Sequence, residues 1–171
     1  MAAIAASPAP PGTPAVRDAH PGLWERWEVV AEDPAPFLST CLRDAGWLER
    51  SLPTILAAVD RAPTEGDALL HLDVRSDNLC FRDGRAILVD WNWASLADPR
   101  LDIAAWAPSV THEGGPPPWE LLPDEGELVA FVAGVWAAVV GLPPPETAPH
   151  VRAVQRAQLA IALDWLDREL L

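Results

Sequence analysis

The chain carries HLDVRSDN at residues 71–78 and ILVDW at residues 87–91, and these two stretches decide the predicted fold. Between them, Asp83-Gly84 is a strong signal for a two-residue turn. We therefore predict a β-hairpin whose strands are Leu79–Phe81 and Ala86–Val89. This hairpin joins two short polar segments that contain several Asp and Asn residues.

The position of the turn sets the pairing of the strands. With Asp83-Gly84 at the tip, Asn78 is predicted to lie opposite Val89. The open end of the hairpin then holds Asp77 and Asn78 on one strand and Asp90 on the other. In this register Asp90 lies opposite Asp77, whereas a one-residue bulge would place it opposite Asn78. The sequence leaves both arrangements open.

Carboxylate and amide oxygens that converge at one place suit a magnesium ion. Mg²⁺ is bound in proteins by one or two carboxylates, with water and substrate phosphate as the remaining ligands. A cation would also relieve the repulsion between neighbouring carboxylates. Asp73 precedes Asn78 by five residues and could accept a hydroxyl proton while the metal holds phosphates.

These motifs resemble the aminoglycoside phosphotransferase and choline-kinase-like families, which are relatives of the protein kinases. His71-Leu72-Asp73 is similar to their H-G-D motif, and Val89-Asp90-Trp91 matches the segment with the metal-binding Asp. The resemblance implies that Asp73 is the catalytic base and that Asn78 and Asp90 bind Mg²⁺ and, through it, ATP. It also implies that Arg75 contacts a phosphate as a bidentate donor.

A second segment, DPRLDIA at residues 98–104, resembles the family's G-D-P-x-x-D-L-A pattern. There the second Asp, Asp102 here, braces the catalytic loop from a helix start, and His71 supports the same loop. The resemblance extends from about Phe37 to the end of the chain. It implies a mostly helical α+β fold, the C-terminal lobe of a protein-kinase-like fold, with the small β-hairpin carrying the site.

The chain lacks features that a complete kinase-like enzyme uses to hold ATP. All twelve basic residues are Arg, and no Gly-rich phosphate loop is visible. We predict a flexible Ala/Pro-rich arm over residues 1–21 and the lobe over residues 22–171, with the N-terminal ATP-grasping lobe absent. The expected function is ATP-dependent phosphorylation of a small-molecule hydroxyl, weak or inactive in this chain alone. The alternative is a non-catalytic binding module derived from a kinase lobe.

Composition restricts the partners of this chain. A net charge of −13 argues against nucleic acid and is compatible with a cationic small-molecule substrate. The apolar run 128–142 is too short to span a membrane, and residues 1–14 do not form a signal peptide. Cys41 and Cys80 are far apart in sequence and are expected to be reduced thiols of a cytoplasmic protein. Aminoglycoside, choline-like amine, sugar and macrolide acceptors remain open, and a missing N-terminal lobe or self-association would cover exposed apolar surface.

Helical spacing of apolar residues predicts several helices around the hairpin. A helix over Phe37–Arg50 is expected to be followed by a second one, which Ser51 caps and Pro53 starts. Asp124 and Glu127 are expected to form a capping box. Further helices are predicted over Arg100–Ser109, Glu125–Gly141 and His150–Leu170, and a short helix or an anchoring turn over Leu23–Val30. Trp91 and Trp93 are assigned to core packing, and the acidic residues 113–127 to a solvated loop.

Overall fold

The computed structural model describes residues 2–171 and has a mixed α+β fold that is predominantly helical. In chain order its elements are α1 (Ala2–Ala5), α2 (Val16–Ala19), α3 (Arg26–Glu32), α4 (Ala35–Ser39), α5 (Ala45–Arg61), β1 (Ala68–Leu70), β2 (Leu79–Arg82), β3 (Arg85–Leu88), β4 (Ser95–Ala97), α6 (Pro99–His112), α7 (Pro118–Leu121), α8 (Gly126–Ala137) and α9 (Val151–Glu169). The predicted mixed α+β class, with mostly helical structure, is confirmed.

The described chain forms two compact units. One unit contains residues 2–21 and 63–122, and the other contains residues 22–62 and 123–171. Every residue that the sequence assigns to the candidate site lies in the first unit. The fold of that unit therefore determines where the site residues are placed.

Two small antiparallel sheets organise the first unit. In one of them β1 pairs with β4, and Leu69 lies opposite Leu96. The segment before α2 joins this sheet, because Ala15 forms a parallel bridge with Leu96 and the Leu96 N–H donates to the Pro14 oxygen over 2.9 Å. The first twenty-one residues thus include two short helices and a contact with β4, while the predicted mobility of this segment stays a prediction.

The second sheet is the predicted hairpin of β2 and β3. Leu79 pairs with Leu88, and the turn residues Asp83 and Gly84 have φ angles of 51° and 73°. Two successive positive φ angles are what a tight hairpin turn of this kind requires, and Asp-Gly suits them. The Val89 N–H donates to the Asn78 oxygen over 3.0 Å, which extends the ladder in the same register as far as Asn78. The predicted register is confirmed, and no bulge precedes Asp90.

The hairpin exposes several apolar side chains. The Phe81 side chain is 78% exposed, and those of Ile87 and Val89 are also exposed. An isolated two-stranded hairpin is only marginally stable in water. The backbone ladder and the Asp83-Gly84 turn are thus the main features that hold this strand pair.

Helices α3, α5, α8 and α9 supply the core of the second unit. Helix α8 is buried along most of its length, and the buried Trp27 indole donates to the Ala130 oxygen over 2.8 Å. Gly134 permits this approach, because a Cβ atom there would lie 2.7 Å from the Trp27 ring. At the surface, Arg43 forms ion pairs with Asp164 and Asp167 of α9, each at 2.7 Å.

The prediction for the helices between residues 37 and 61 is wrong about where the chain breaks. The interruption lies at Cys41, whose φ of 56° is left-handed, and Asp44 then caps α5 by accepting the Trp47 N–H over 2.6 Å. Ser51 is buried inside α5, and Pro53 is an interior residue of the same helix. An Asp cap in the right geometry begins the helix earlier than the proline does, and packing of the buried face carries α5 past Pro53.

The predicted capping box before α8 is also wrong. Asp124 has a left-handed φ of 59°, and Glu125 occupies the cap position without a side-chain hydrogen bond to the helix. By contrast, α6 and α9 lie within three residues of their predicted ends. In the described residues no helix is long and apolar enough to cross a membrane. Cys41 and Cys80 are both exposed free thiols.

Candidate active site

The loop that follows β1 is fixed by a carboxylate from α6. Asp98 caps this helix by accepting the Arg100 N–H over 2.9 Å, and Asp102 follows in the first turn. The buried Asp102 carboxylate accepts the backbone N–H of His71 over 3.0 Å and that of Leu72 over 2.7 Å. Burial raises the pKa of Asp102, against the effect of these two bonds. Asp102 therefore sets the position at which the loop begins.

His71 joins the loop to the end of the hairpin. Its fully buried ring places Nε2 at 2.9 Å from the Val89 oxygen, and Nδ1 lies 3.3 Å from the Asp73 nitrogen. A carbonyl oxygen only accepts and a backbone N–H only donates, so the ring donates from Nε2 and accepts at Nδ1. A neutral imidazole with its proton on Nε2 satisfies both bonds.

Asp73 and Asn78 meet across the loop. The Asn78 side-chain NH₂ donates to the Asp73 backbone oxygen over 2.8 Å and to the Asp73 carboxylate over 3.1 Å. Asn78 is buried, at 6% exposure. Because the amide nitrogen faces Asp73, the Asn78 Oδ1 oxygen is the atom left to serve as a ligand. The five-residue spacing of the sequence motif therefore corresponds to a direct contact.

The charge on Asp73 is set by opposing effects. Burial of the carboxyl group raises the pKa of Asp73, while Arg75 and the bond from Asn78 act in the opposite direction. The side chain remains 28% exposed, so a substrate hydroxyl could reach it. A partly desolvated carboxylate is a stronger base than a solvated one.

Arg75 lies among carboxylates. Its Nε and Nη2 atoms each donate to the Asp77 carboxylate over 3.0 Å, and its Nη1 atom lies 3.6 Å from the Asp73 carboxylate. Burial opposes the charge on the guanidinium, yet the bond with Asp77 and the charges of Asp73, Asp77 and Asp90 raise the pKa of Arg75. The guanidinium is thus the counter-ion of this loop.

Asp90 follows the last hairpin bond and leaves the strand. Its φ of 63° turns the chain away after Val89, and Asp and Asn tolerate this conformation better than other side chains with a Cβ. The exposed carboxylate accepts a hydrogen bond from the Asn92 side chain. Its charge also contributes to the raised pKa of Arg75, which places Asp90 within the same electrostatic environment as Asp73 and Asp77.

Two tryptophans, Trp91 and Trp93, follow Asp90 in the sequence. Trp91 contacts the His71 ring edge-on, with centroids 4.6 Å apart, and Trp93 lies against His20 at 4.5 Å. The two Trp side chains are 39% and 42% exposed. The assignment of both to core packing is therefore wrong, because each residue is partly exposed to solvent.

With this geometry established, comparison with known proteins identifies the family. The family model described as "Phosphotransferase enzyme family" (APH) matches residues 1–126. The chain belongs to this phosphotransferase family. The matched range contains every candidate site residue and ends at the first residue of α8, so α9 lies outside it. A search of curated proteins and a search of solved structures found no match to this chain.

The donor set of a phosphotransferase metal site can be tested on these residues. Among residues 2–171 no group of three or more His, Cys, Asp or Glu side chains is arranged to hold a metal ion. The candidate donors are the Asn78 Oδ1 oxygen and the Asp90 carboxylate, which are the hard oxygen ligands that Mg²⁺ takes. By their chemistry, one carboxylate and one amide oxygen would suit a magnesium ion, which takes its other ligands from water and phosphate.

Sequence reasoning missed three polar contacts of the candidate site. Asp77 binds Arg75, Asn92 binds Asp90, and Glu113, just after α6, accepts the Ser76 hydroxyl over 2.6 Å. Two of these contacts join residues that are two apart, so a charge or amide at that spacing was the available signal. The Ser76–Glu113 contact depends on how α6 lies against the loop and has no local signal.

Proposed function

We propose that the loop from His71 to Asn78, together with Asp90, forms part of an ATP-dependent phosphotransfer site that acts on a hydroxyl group of a small molecule. Family membership supports a phosphotransferase. The observation that carries the proposal is the pair of bonds from Asn78 to Asp73, because it brings the proposed base and a proposed metal ligand together. Within the same proposal, we assign the part of the chain that carries this loop to the C-terminal lobe of a kinase-like fold.

Asp73 is the proposed proton acceptor. Its carboxylate is held by Asn78 and is partly desolvated, and burial raises its pKa, which makes it a stronger base. Once the acceptor hydroxyl lies within hydrogen-bonding distance, Asp73 takes its proton as the oxygen attacks the γ-phosphorus of ATP, and the bond from that phosphorus to the bridging oxygen breaks, so that ADP leaves with the electron pair. Asp102 and His71 hold the loop in place and do not touch the substrate.

Asn78 and Asp90 are the proposed magnesium ligands. A bound Mg²⁺ ion would neutralise the nucleotide phosphates and orient the transferred group. The exposed Asp90 carboxylate and the Asn78 oxygen supply oxygen ligands of the preferred kind. Arg75 is the proposed hydrogen-bond donor to a nucleotide phosphate, because its planar guanidinium can donate two hydrogen bonds to a phosphate group.

The acceptor is proposed to be a small molecule with an alcohol group, and a cationic acceptor fits the surroundings best. The chain carries a net charge of −13, which attracts cations. Trp91 and Trp93 follow Asp90 closely in sequence and are partly exposed, and indole rings favour a cation near their faces.

A second candidate function is a binding module that keeps the loop without turnover. The chain contains no Lys, so no Lys side chain is available to the nucleotide phosphates, and Arg75 is engaged with Asp77. Phosphoryl transfer depends on positioning and charge neutralisation, so we propose that this chain alone turns over far more slowly than typical kinases. The two functions share the ligand site and differ in the rate of transfer.

Calorimetric titration of ATP with and without Mg²⁺ tests the proposed site. Asp90→Asn is the informative variant, because Asn tolerates the positive φ while the charge is lost. Asp83→Asn is its matched control, since Asp83 is an exposed Asp with a positive φ at the hairpin tip. We expect Mg²⁺-dependent binding that Asp90→Asn abolishes and Asp83→Asn leaves intact. Binding that is equal in all three proteins, or absent from all, contradicts the proposal.

A further inference from the structure

Arg75 is the single Arg between His71 and Asn78, and its guanidinium forms an ion pair with Asp77. Both bonds of the Arg75–Asp77 pair are 3.0 Å long, and they use the Nε and Nη2 atoms of Arg75. The third nitrogen, Nη1, faces the Asp73 carboxylate at 3.6 Å. All three nitrogens of the fork are thereby directed at carboxylates.

A phosphate group binds the same fork in the same bidentate way as a carboxylate does. Asp77 occupies the side of the guanidinium formed by Nε and Nη2, so a nucleotide phosphate that takes two bonds from this side must displace Asp77. The Asp77 side chain is 66% exposed and Arg75 is 30% exposed, so the pair can open without unfolding the loop.

We propose that Asp77 is a positioning residue that competes with the nucleotide phosphate for Arg75 and so sets the affinity of the site for ATP. The inference rests on the proposed function. Asp77 keeps Arg75 in place beside Asp73 when no nucleotide is bound, and phosphate binding exchanges one anionic partner of the guanidinium for another.

The size of the effect follows from the exposure of the pair. An exposed ion pair contributes little, so removing the competitor is expected to tighten ATP binding by about two- to fivefold. The variant is Asp77→Asn, which keeps the size of the side chain and removes its charge. Asp83→Asn removes the same charge from the exposed hairpin tip and serves as the control for net charge.

Asp77 could also weaken binding by simple repulsion of the phosphates, and a double-mutant cycle separates the two effects. In the Arg75→Gln background no guanidinium is available for competition. If Asp77 acts through Arg75, adding Asp77→Asn to Arg75→Gln gives no gain in affinity. If Asp77 only repels phosphate, the gain is the same in both backgrounds.

The experiment measures ATP affinity at saturating Mg²⁺ for the wild type, Asp77→Asn, Arg75→Gln, the double variant and Asp83→Asn. In parallel, the ¹⁵N-resolved NMR signal of the Arg75 Nε–H reports the ion pair directly. We expect that signal to change on Asp77→Asn and, in the wild type, on addition of ATP. If Asp77 had only a structural role, the Arg75 signal would change on Asp77→Asn without a matching change in the affinity for ATP.

The outcomes distinguish this inference from the proposed function. Tighter binding by Asp77→Asn that disappears in the Arg75→Gln background supports the inference. Wild-type binding that Asp77→Asn leaves unchanged, or strengthens equally in both backgrounds, overturns the inference and leaves the proposed function standing. Absence of ATP binding in every variant overturns the proposed function, and the inference with it.

Discussion

Asn78 donates its side-chain amide to both the backbone oxygen and the carboxylate of Asp73, over 2.8 Å and 3.1 Å. One buried side chain thus closes the loop on itself and fixes the carboxylate proposed as the base. The loop is held at its start by Asp102 and near its end by Asn78. The same bonds stabilise the loop and position the proposed base, so their contribution to stability can be measured without a known substrate.

Replacing Asn78 should destabilise the protein more than replacing an exposed Asn. Asn78→Ala removes two hydrogen bonds, one of them to a charged group, and leaves the half-buried backbone oxygen of Asp73 without its partner. We expect a loss of about 2–3 kcal/mol in the free energy of unfolding. The control is Asn92→Ala, where the side chain is exposed, with an expected change within about 0.5 kcal/mol. Urea unfolding of both variants measures the difference, and equal losses would contradict the assignment.

Leu72 lies in a backbone conformation that favours glycine. Its φ is 59°, a region in which a side chain with a Cβ costs about 1–2 kcal/mol. Leu72→Gly should therefore be more stable than Leu72→Ala by about 1 kcal/mol. At Leu79, where φ is −112°, the order should reverse, with Ala better than Gly by about 0.5–1 kcal/mol. Thermal unfolding of the four variants checks the prediction, which fails if Gly is worse than Ala at both positions.

The raised pKa of Asp73 predicts how its contribution to stability depends on pH. Burial is the main cause, so the folded protein holds the Asp73 proton more tightly than the unfolded chain does. The contribution is fully present below the unfolded value, near pH 3.9, and is lost as pH rises through the higher folded value. The wild type should thus gain stability relative to Asp73→Asn as pH falls from neutral toward about 4. Denaturant unfolding of both proteins at several pH values measures this difference, and a relative loss on acidification contradicts it.

Local signals in the sequence were sufficient to predict the hairpin. Asp83-Gly84 determines the turn, and without a bulge the turn places Asn78 opposite Val89; the absence of a bulge is known only from the structure. The pairing of β1 with β4 joins segments that are distant in sequence, so no turn residue specifies it. It could not be predicted from local chemistry.

Helix boundaries show the same limit. Pro53 suggested a helix start, but Pro is also tolerated inside α5, where packing of the buried face maintains the helix. The actual break at Cys41 needs a left-handed residue, and Cys gives no signal for that conformation. In the site, the family-like spacing of Asp73 and Asn78 was informative, whereas the bidentate pairing of Asp77 with Arg75 required the loop geometry.

The central claim is that Asn78 and Asp90 hold a divalent cation together with ATP, and paramagnetic NMR tests it directly. Mn²⁺ replaces Mg²⁺ at oxygen-ligand sites and broadens the signals of nearby amide protons. With ATP and substoichiometric Mn²⁺, we predict that the amide signals of Asn78, Asp90 and Trp91 broaden first, and that Asp90→Asn removes this effect. Broadening centred on the acidic residues 120–127 or on Asp164 and Asp167, with the signals of Asn78 and Asp90 unaffected, would contradict the claim.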